Sequence, residues 1–130
     1  REVPDSKCLK NSILLVEDNK INQLIAVEVL SKSGYQVKTA ANGKEAIELL
    51  KEQSFDLVLM DIQMPVMDGE EATHLIRSEL ELTELPIIAL TASVLPAQVE
   101  QYLKEGFDAF LGKPYDNQGL LDKVAEYLNA

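Results

Sequence analysis

A chain of 130 residues with 46% hydrophobic and 26% charged residues has the makeup of one soluble globular domain, which excludes disorder. Its formal net charge of -10 argues against nucleic acid as a direct partner, because phosphate binding needs a basic patch. One cysteine, Cys8, excludes an internal disulfide framework and a cysteine zinc site, and no apolar run approaches membrane-spanning length.

Residues 1–11 are polar, contain Pro4 and lack periodicity, so they read as a linker with Cys8 as an incidental thiol. The chain starts at Arg1 without a methionine and shows no signal-peptide pattern, which suggests a piece cut from something longer. Ile13-Leu14-Leu15-Val16 is the first buried strand and ends on Glu17 and Asp18. Asn19 is placed to cap a first helix, whose apolar positions include Ile21, Leu24, Ile25 and Val29 and which Gly34 ends. Tyr35, Val37 and Thr39 alternate with Gln36 and Lys38, the half-exposed pattern of an edge strand. Asn42-Gly43-Lys44-Glu45 has capping-box character and opens a second helix with Ala46, Leu49 and Leu50 on its core side.

The central stretch is FDLVLMDIQMPVMDG, from Phe55 to Gly69. Leu57-Val58-Leu59-Met60 has the length and type of a strand buried on both faces, and it ends on Asp61. Asp68, with Glu71 three residues on, starts a third helix that buries Ala72, Leu75 and Ile76. Ile87-Ile88-Ala89-Leu90 follows Pro86 as a fourth strand and ends on Thr91. Leu95, Val99 and Leu103 mark a fourth helix stopped by Gly106. Ala109-Phe110-Leu111 is a short fifth strand before Lys113-Pro114, and Leu120, Leu121, Val124 and Leu128 line a last helix.

Strands alternating with helices through short connections predict an α/β fold, a doubly wound parallel sheet with helices on both faces. The alternating second strand belongs at an edge, giving the order 2-1-3-4-5 of a flavodoxin-like (βα)5 domain over 12–130. In that topology the carboxyl ends of strands 1, 3, 4 and 5 share a rim holding Glu17, Asp18, Asp61, Thr91 and Lys113. Crowded carboxylates repel unless a cation neutralises them, and a hard divalent ion with oxygen ligands, Mg²⁺ first, is the natural solution. Cation, ammonium and hydroxyl together are what a phosphoryl group undergoing transfer needs around its oxygens, with Asp61 as the nucleophile.

The set Glu17-Asp18, Asp61 with Met64-Pro65 and Asp68-Gly69, Thr91-Ala92 and Lys113-Pro114 resembles the response-regulator receiver domain of two-component signalling. The resemblance covers about Ser12 to Leu128 and implies that Asp61 is the phospho-acceptor. Asp18, Asp61 and the backbone carbonyl of Gln63 would then hold Mg²⁺, for which Mn²⁺ can substitute, and Glu17 would act through a bound water. Thr91 and Lys113 would meet the phosphoryl oxygens, and Phe110 would be the switch aromatic that turns inward as Thr91 moves. The Lys113–Pro114 bond is commonly cis in the family. Glu17 stands where Asp is commoner and Phe110 where Tyr is frequent, while Gln63 sits where it affects the water that hydrolyses the phosphate.

Val16-Glu17-Asp18-Asn19 with Asn22, Gly34-Tyr35, and Ala41-Asn42-Gly43-Lys44-Glu45-Ala46 resemble the receivers of hybrid sensor histidine kinases. That implies a phosphorelay domain taking phosphate from a kinase-core histidine and passing it to a histidine phosphotransfer partner. Its place would be the cytoplasm, at the inner face of the inner membrane within such a kinase, without itself entering the membrane. The domain alone would catalyse only transfer to its own Asp and autodephosphorylation, the kinase (transferase) activity being the parent chain's. A stand-alone receiver or the receiver of a longer response regulator is the alternative. A haloacid-dehalogenase-like phosphatase is remote, because Gln63 stands where such enzymes carry their second acid. A flavin or nucleotide binder would need a phosphate loop where Glu17-Asp18-Asn19 stands. His74 reads as a surface residue of an amphipathic helix rather than a phosphate donor, and Met60, Met64 and Met67 as packing.

Overall fold

Leu57, Val58, Leu59 and Met60 are each 0% exposed, the burial expected of a strand covered on both faces. They form the centre of a sheet in the computed structural model, which describes residues 12–62, 64, 66–92, 95–113 and 115–128. The elements alternate as β1 (Ser12–Val16), α1 (Lys20–Lys32), β2 (Gln36–Ala40), α2 (Gly43–Glu52), β3 (Leu57–Asp61), α3 (Gly69–Ser78), β4 (Ile87–Thr91), α4 (Pro96–Glu105), β5 (Ala109–Gly112) and α5 (Asn117–Leu128). All four pairings are parallel and the order is β2-β1-β3-β4-β5, as the alternation in β2 predicts. The linker with Cys8, the Gln63 carbonyl and the Lys113–Pro114 bond lie outside the described residues.

The two-residue period of the strands divides the core in two. Leu14, Val16, Val58, Met60, Ile87 and Ala89 pack with α2, α3 and α4, while Ile13, Leu15, Leu57, Leu59, Ile88 and Leu90 pack with α1 and α5. Each Leu, Ile, Val or Met side chain among them, removed fully from water, contributes about 1.5–3 kcal/mol. Helix ends follow local chemistry. Asn19, Asn42 and Asp68 each accept a hydrogen bond from the backbone N–H three residues on. The capping box at α2 reaches one residue further back than expected, since Glu45 accepts from Ala41 N–H at 2.9 Å. Gly106 closes α4 at φ 115°, a left-handed conformation that favours glycine.

Two helices bury a different face from the one their apolar residues suggest. In α1 the buried residues are Gln23, Ala26 and Leu30, whereas Ile21, Leu24 and Ile25 are 67%, 69% and 51% exposed. In α4 the buried residue is Tyr102, and Leu95 and Leu103 are 67% and 49% exposed. Both buried faces carry a polar contact. The Gln23 side-chain amide donates to the Glu17 carbonyl, and the Tyr102 hydroxyl meets the Thr91 hydroxyl at 3.0 Å. Each inward residue brings a hydrogen-bonding group that a leucine lacks.

Candidate functional site

The ladders continue past the strand ends and bring the rim together. Glu17 N–H donates to Ala40 O at 3.0 Å, Ile62 N–H to Leu90 O at 3.1 Å, and Lys113 N–H to Thr91 O at 2.7 Å. The strand alternation then decides which side chains meet. Glu17, Asp61 and Lys113 fall in register with the α1/α5 half of the core, and Thr91 and Phe110 with the α3/α4 half. Gly69 brings the start of α3 against this rim by donating its N–H to Ile62 O at 2.9 Å. A Cβ there would stand 2.2 Å from the Asp61 carbonyl oxygen, so only glycine allows the approach.

Asp61 is 5% exposed, Glu17 2% and Thr91 3%, whereas Asp18 is exposed at the mouth. One carboxylate oxygen from each of Glu17, Asp18 and Asp61 lies within 4.8 Å of the others, a grouping able to hold a metal ion. Lys113 Nζ sits 3.0 Å from Asp61 Oδ2 and 3.4 Å from Glu17 Oε1. The Glu17 Oε2 atom accepts from Asn19 N–H at 3.2 Å. A cleft of about 590 Å³ opens over these groups, lined also by Thr91, Tyr102 and Gln98.

Burial and then the Asp61 charge push the Glu17 carboxyl up, against the opposing pull of Lys113. Burial lowers Lys113, but the hydrogen bond and charge of Asp61, joined by Glu17, outweigh it and leave the ammonium raised. Tyr115 is also raised, by burial first and by the Glu17 charge second. The three carboxylates and one ammonium leave two formal negative charges, which a divalent cation balances. The grouping suits a small hard cation, whose preferred ligands are carboxylate and carbonyl oxygens and water.

The structure thus brings together Glu17, Asp18, Asp61, Thr91 and Lys113. Phe110 is half-buried in β5, in register with Ala89, and packs against the α3/α4 half of the core. His74 is exposed on α3. Two residues of the site carry no strand-end signal in the sequence: Gln23, which holds the Glu17 carbonyl, and Tyr102, which holds the Thr91 hydroxyl. Both sit on helices, where only the placement of the buried face reveals them.

The chain is similar in sequence and fold to known proteins. The chain is 38% identical over 146 residues to Histidine kinase 5 of Arabidopsis thaliana, covering 92% of this chain and 16% of that kinase. It therefore spans only a small part of that relative's length. Its fold matches the receiver domain of sensor histidine kinase PA1611 from Pseudomonas aeruginosa PAO1, a structure with a magnesium ion coordinated in its active site cleft. That match has a TM-score of 0.83 and 37% identity over 92% of this chain and 98% of that one. It also matches the co-crystal structure of the Saccharomyces cerevisiae histidine phosphotransfer protein Ypd1 with the receiver domain of its downstream response regulator Ssk1. There the TM-score is 0.86 and the identity 34%, over 91% of this chain and 88% of that one. Among the described residues no helix is long and apolar enough to cross a membrane. The profile of the response regulator receiver domain matches residues 13–125, and with the rim of β1, β3, β4 and β5 in place the chain belongs to that family of two-component signalling domains.

Proposed function

We propose that Asp61 is the phospho-acceptor of this receiver, taking its phosphoryl group from a phosphohistidine. The observation that carries the proposal is the buried Asp61 carboxylate, 3.0 Å from Lys113 and grouped with Glu17 and Asp18 at the head of β3. An Asp61 oxygen forms a bond to phosphorus as the phosphorus–nitrogen bond of the donor breaks, and the electron pair returns to the imidazole nitrogen. Lys113 faces the oxygens on which charge accumulates, and Thr91 offers its hydroxyl to one of them. Asp18, Asp61 and the Gln63 carbonyl would hold Mg²⁺, with Glu17 acting through a water. When bound, the ion supplies charge neutralisation to carboxylates that would otherwise repel an incoming phosphoryl group.

The modified Asp61 draws Thr91 toward it, and Phe110 moves into the space vacated. Two arrangements of the face made by α4, β5 and α5 are populated, and the phosphoryl group shifts their balance by contacts available in only one. Likeness to a histidine kinase and to a receiver bound by a phosphotransfer protein supports a place in a phosphorelay. The donor is then a kinase-core histidine, the acceptor downstream a histidine phosphotransfer domain, and the setting the cytoplasmic part of a hybrid kinase. Intact-protein mass after incubation with acetyl phosphate tests this. A gain of one phosphoryl group that requires Mg²⁺ is expected, and a gain independent of any divalent cation contradicts the reading.

A further inference from the structure

We propose that Tyr102 is a positioning residue for the Thr91 hydroxyl, and that it ties the state of Asp61 to helix α4. The inference rests on the reading of Asp61 as acceptor. Tyr102 is 4% exposed, and its hydroxyl reaches Thr91 Oγ1 at 3.0 Å on the wall of the cleft that contains Asp61 and Lys113. Its ring is fixed edge-on to Phe107, with centroids 5.9 Å apart and planes at 71°. The turn behind it is fixed as well, because the Arg77 guanidinium donates to the Gly106 carbonyl at 2.9 and 2.7 Å. These contacts set the ring against Thr91 from the last turn of α4.

Two hydroxyls at that distance share one hydrogen bond, and either can be the donor. If Thr91 donates to Tyr102, its proton points away from the cleft and its lone pairs face the acceptor. If Tyr102 donates to Thr91, the Thr91 hydroxyl can turn its own proton toward the cleft. A phosphoryl group, like the carboxylate, presents acceptor oxygens to Thr91, but it carries more negative charge, so it favours the second arrangement more strongly. The phenol is also the more acidic of the two hydroxyls, which favours the same direction. The resulting chain, Tyr102 to Thr91 to phosphoryl oxygen, strengthens each bond through its neighbour. Because Tyr102 belongs to the last turn of α4, that strengthening is exerted on the helix itself.

The test follows amide hydrogen exchange of α4, with acetyl phosphate and Mg²⁺ present or absent, in the unaltered chain, Tyr102→Phe, Thr91→Val and the double variant. Phosphorylation of the unaltered chain should slow exchange in α4 at least about threefold. Tyr102→Phe should still take up the phosphoryl group yet lose most of that slowing, and the double variant should behave like Thr91→Val alone. An unaltered α4 response in Tyr102→Phe, or a double variant worse than Thr91→Val, overturns the inference while leaving Asp61 as acceptor. Failure of the unaltered chain to take up phosphate overturns both. Should Tyr102→Phe not fold, 3-fluorotyrosine at position 102 decides, because it keeps the shape and makes the phenol a stronger donor. A larger α4 response supports the relay, and an equal or smaller one overturns it.

Discussion

Lys113 Nζ stands 3.0 Å from Asp61 Oδ2 and 3.4 Å from Glu17 Oε1, so one ammonium bridges two buried carboxylates that would otherwise only repel each other. The bridge links β5 to β1 and β3 across the mouth of the site. Its strength follows from burial, since the charges meet with little intervening water.

Replacing Lys113 by Ala should therefore act in two opposite directions. Phosphoryl uptake from acetyl phosphate should fall at least about tenfold, as the oxygens of the transferring group lose their counter-charge. Affinity for a divalent cation should rise several-fold, because the carboxylates lose a competing cation. The stabilisation Lys113 gives through its charge has a sign fixed by its raised pKa. It is fully present below the ordinary value of 10.5 and is lost only as pH rises through the raised folded value. Titration with Mg²⁺ and uptake kinetics separate the two effects, and weaker metal binding would contradict this account.

Glu70 at the start of α3 supplies a pH dependence of its own. Burial, then the hydrogen bond and charge of Glu105 and the charge of Asp68, push its carboxyl up from 4.5 to about 7. Glu105 Oε1 is buried and has no hydrogen-bond donor among the described residues, consistent with two carboxyl groups sharing a proton. The folded chain then holds a proton between those two values that the unfolded chain releases, so stability falls as pH rises from 4.5 to about 7. Glu70→Gln should flatten the melting temperature between about pH 5 and pH 7.5, and raise it at the upper end. A variant that keeps the original slope would assign the dependence to other groups.

Val66 lies in the loop between β3 and α3 at φ 69°, a left-handed conformation that a β-branched residue rarely adopts, and it is 77% exposed. Relief of that strain needs no repacking. Val66→Asn or Val66→Gly should stabilise the fold by about 1 kcal/mol, read as a rise of a few degrees in melting temperature. A fall would show that the valine side chain has a packing role its exposure conceals.

The exposed face of α1 gives a contrast of the same kind. Leu24→Gln, at 69% exposure, should shift stability by no more than about 0.5 kcal/mol. Leu30→Ala, at 0% exposure, should cost about 2–5 kcal/mol. Denaturant midpoints compare them directly.

That contrast also marks where the sequence stops being readable. The strands are legible because Leu57 to Met60 and Ile87 to Leu90 are apolar without interruption, and each run stops at a polar side chain, Asp61 or Thr91. The rim of the site follows from those stops once the strand order is known. The buried faces of α1 and α4 are not legible in the same way. In α1, apolar residues occur on more than one face, so periodicity cannot choose between Ile21, Leu24 and Ile25 and the observed Gln23, Ala26 and Leu30. What accompanies the observed face is a hydrogen bond from Gln23 to the Glu17 carbonyl, a tertiary contact with no local pattern. Tyr102 is hidden for the same reason, because its hydroxyl is satisfied by a residue eleven positions away.

Thr91→Ala separates acceptance from switching. The Asp61 carboxylate and Lys113 stay in place, so on the proposed assignment phosphoryl uptake should persist, slowed by roughly tenfold, while the linked change in α4 and β5 should disappear. Backbone NMR shifts before and after phosphorylation read this, and an unaltered response would remove Thr91 from the switch.

The most direct test of Asp61 as the acceptor is chemical trapping. The chain is incubated with acetyl phosphate and Mg²⁺ and reduced with borohydride, which turns an aspartyl phosphate into homoserine, and the modified position is located by peptide mass spectrometry. Homoserine at position 61, absent from Asp61→Asn and absent without Mg²⁺, is the predicted result. Homoserine at Asp18 or another carboxylate, with position 61 unmodified, would contradict it.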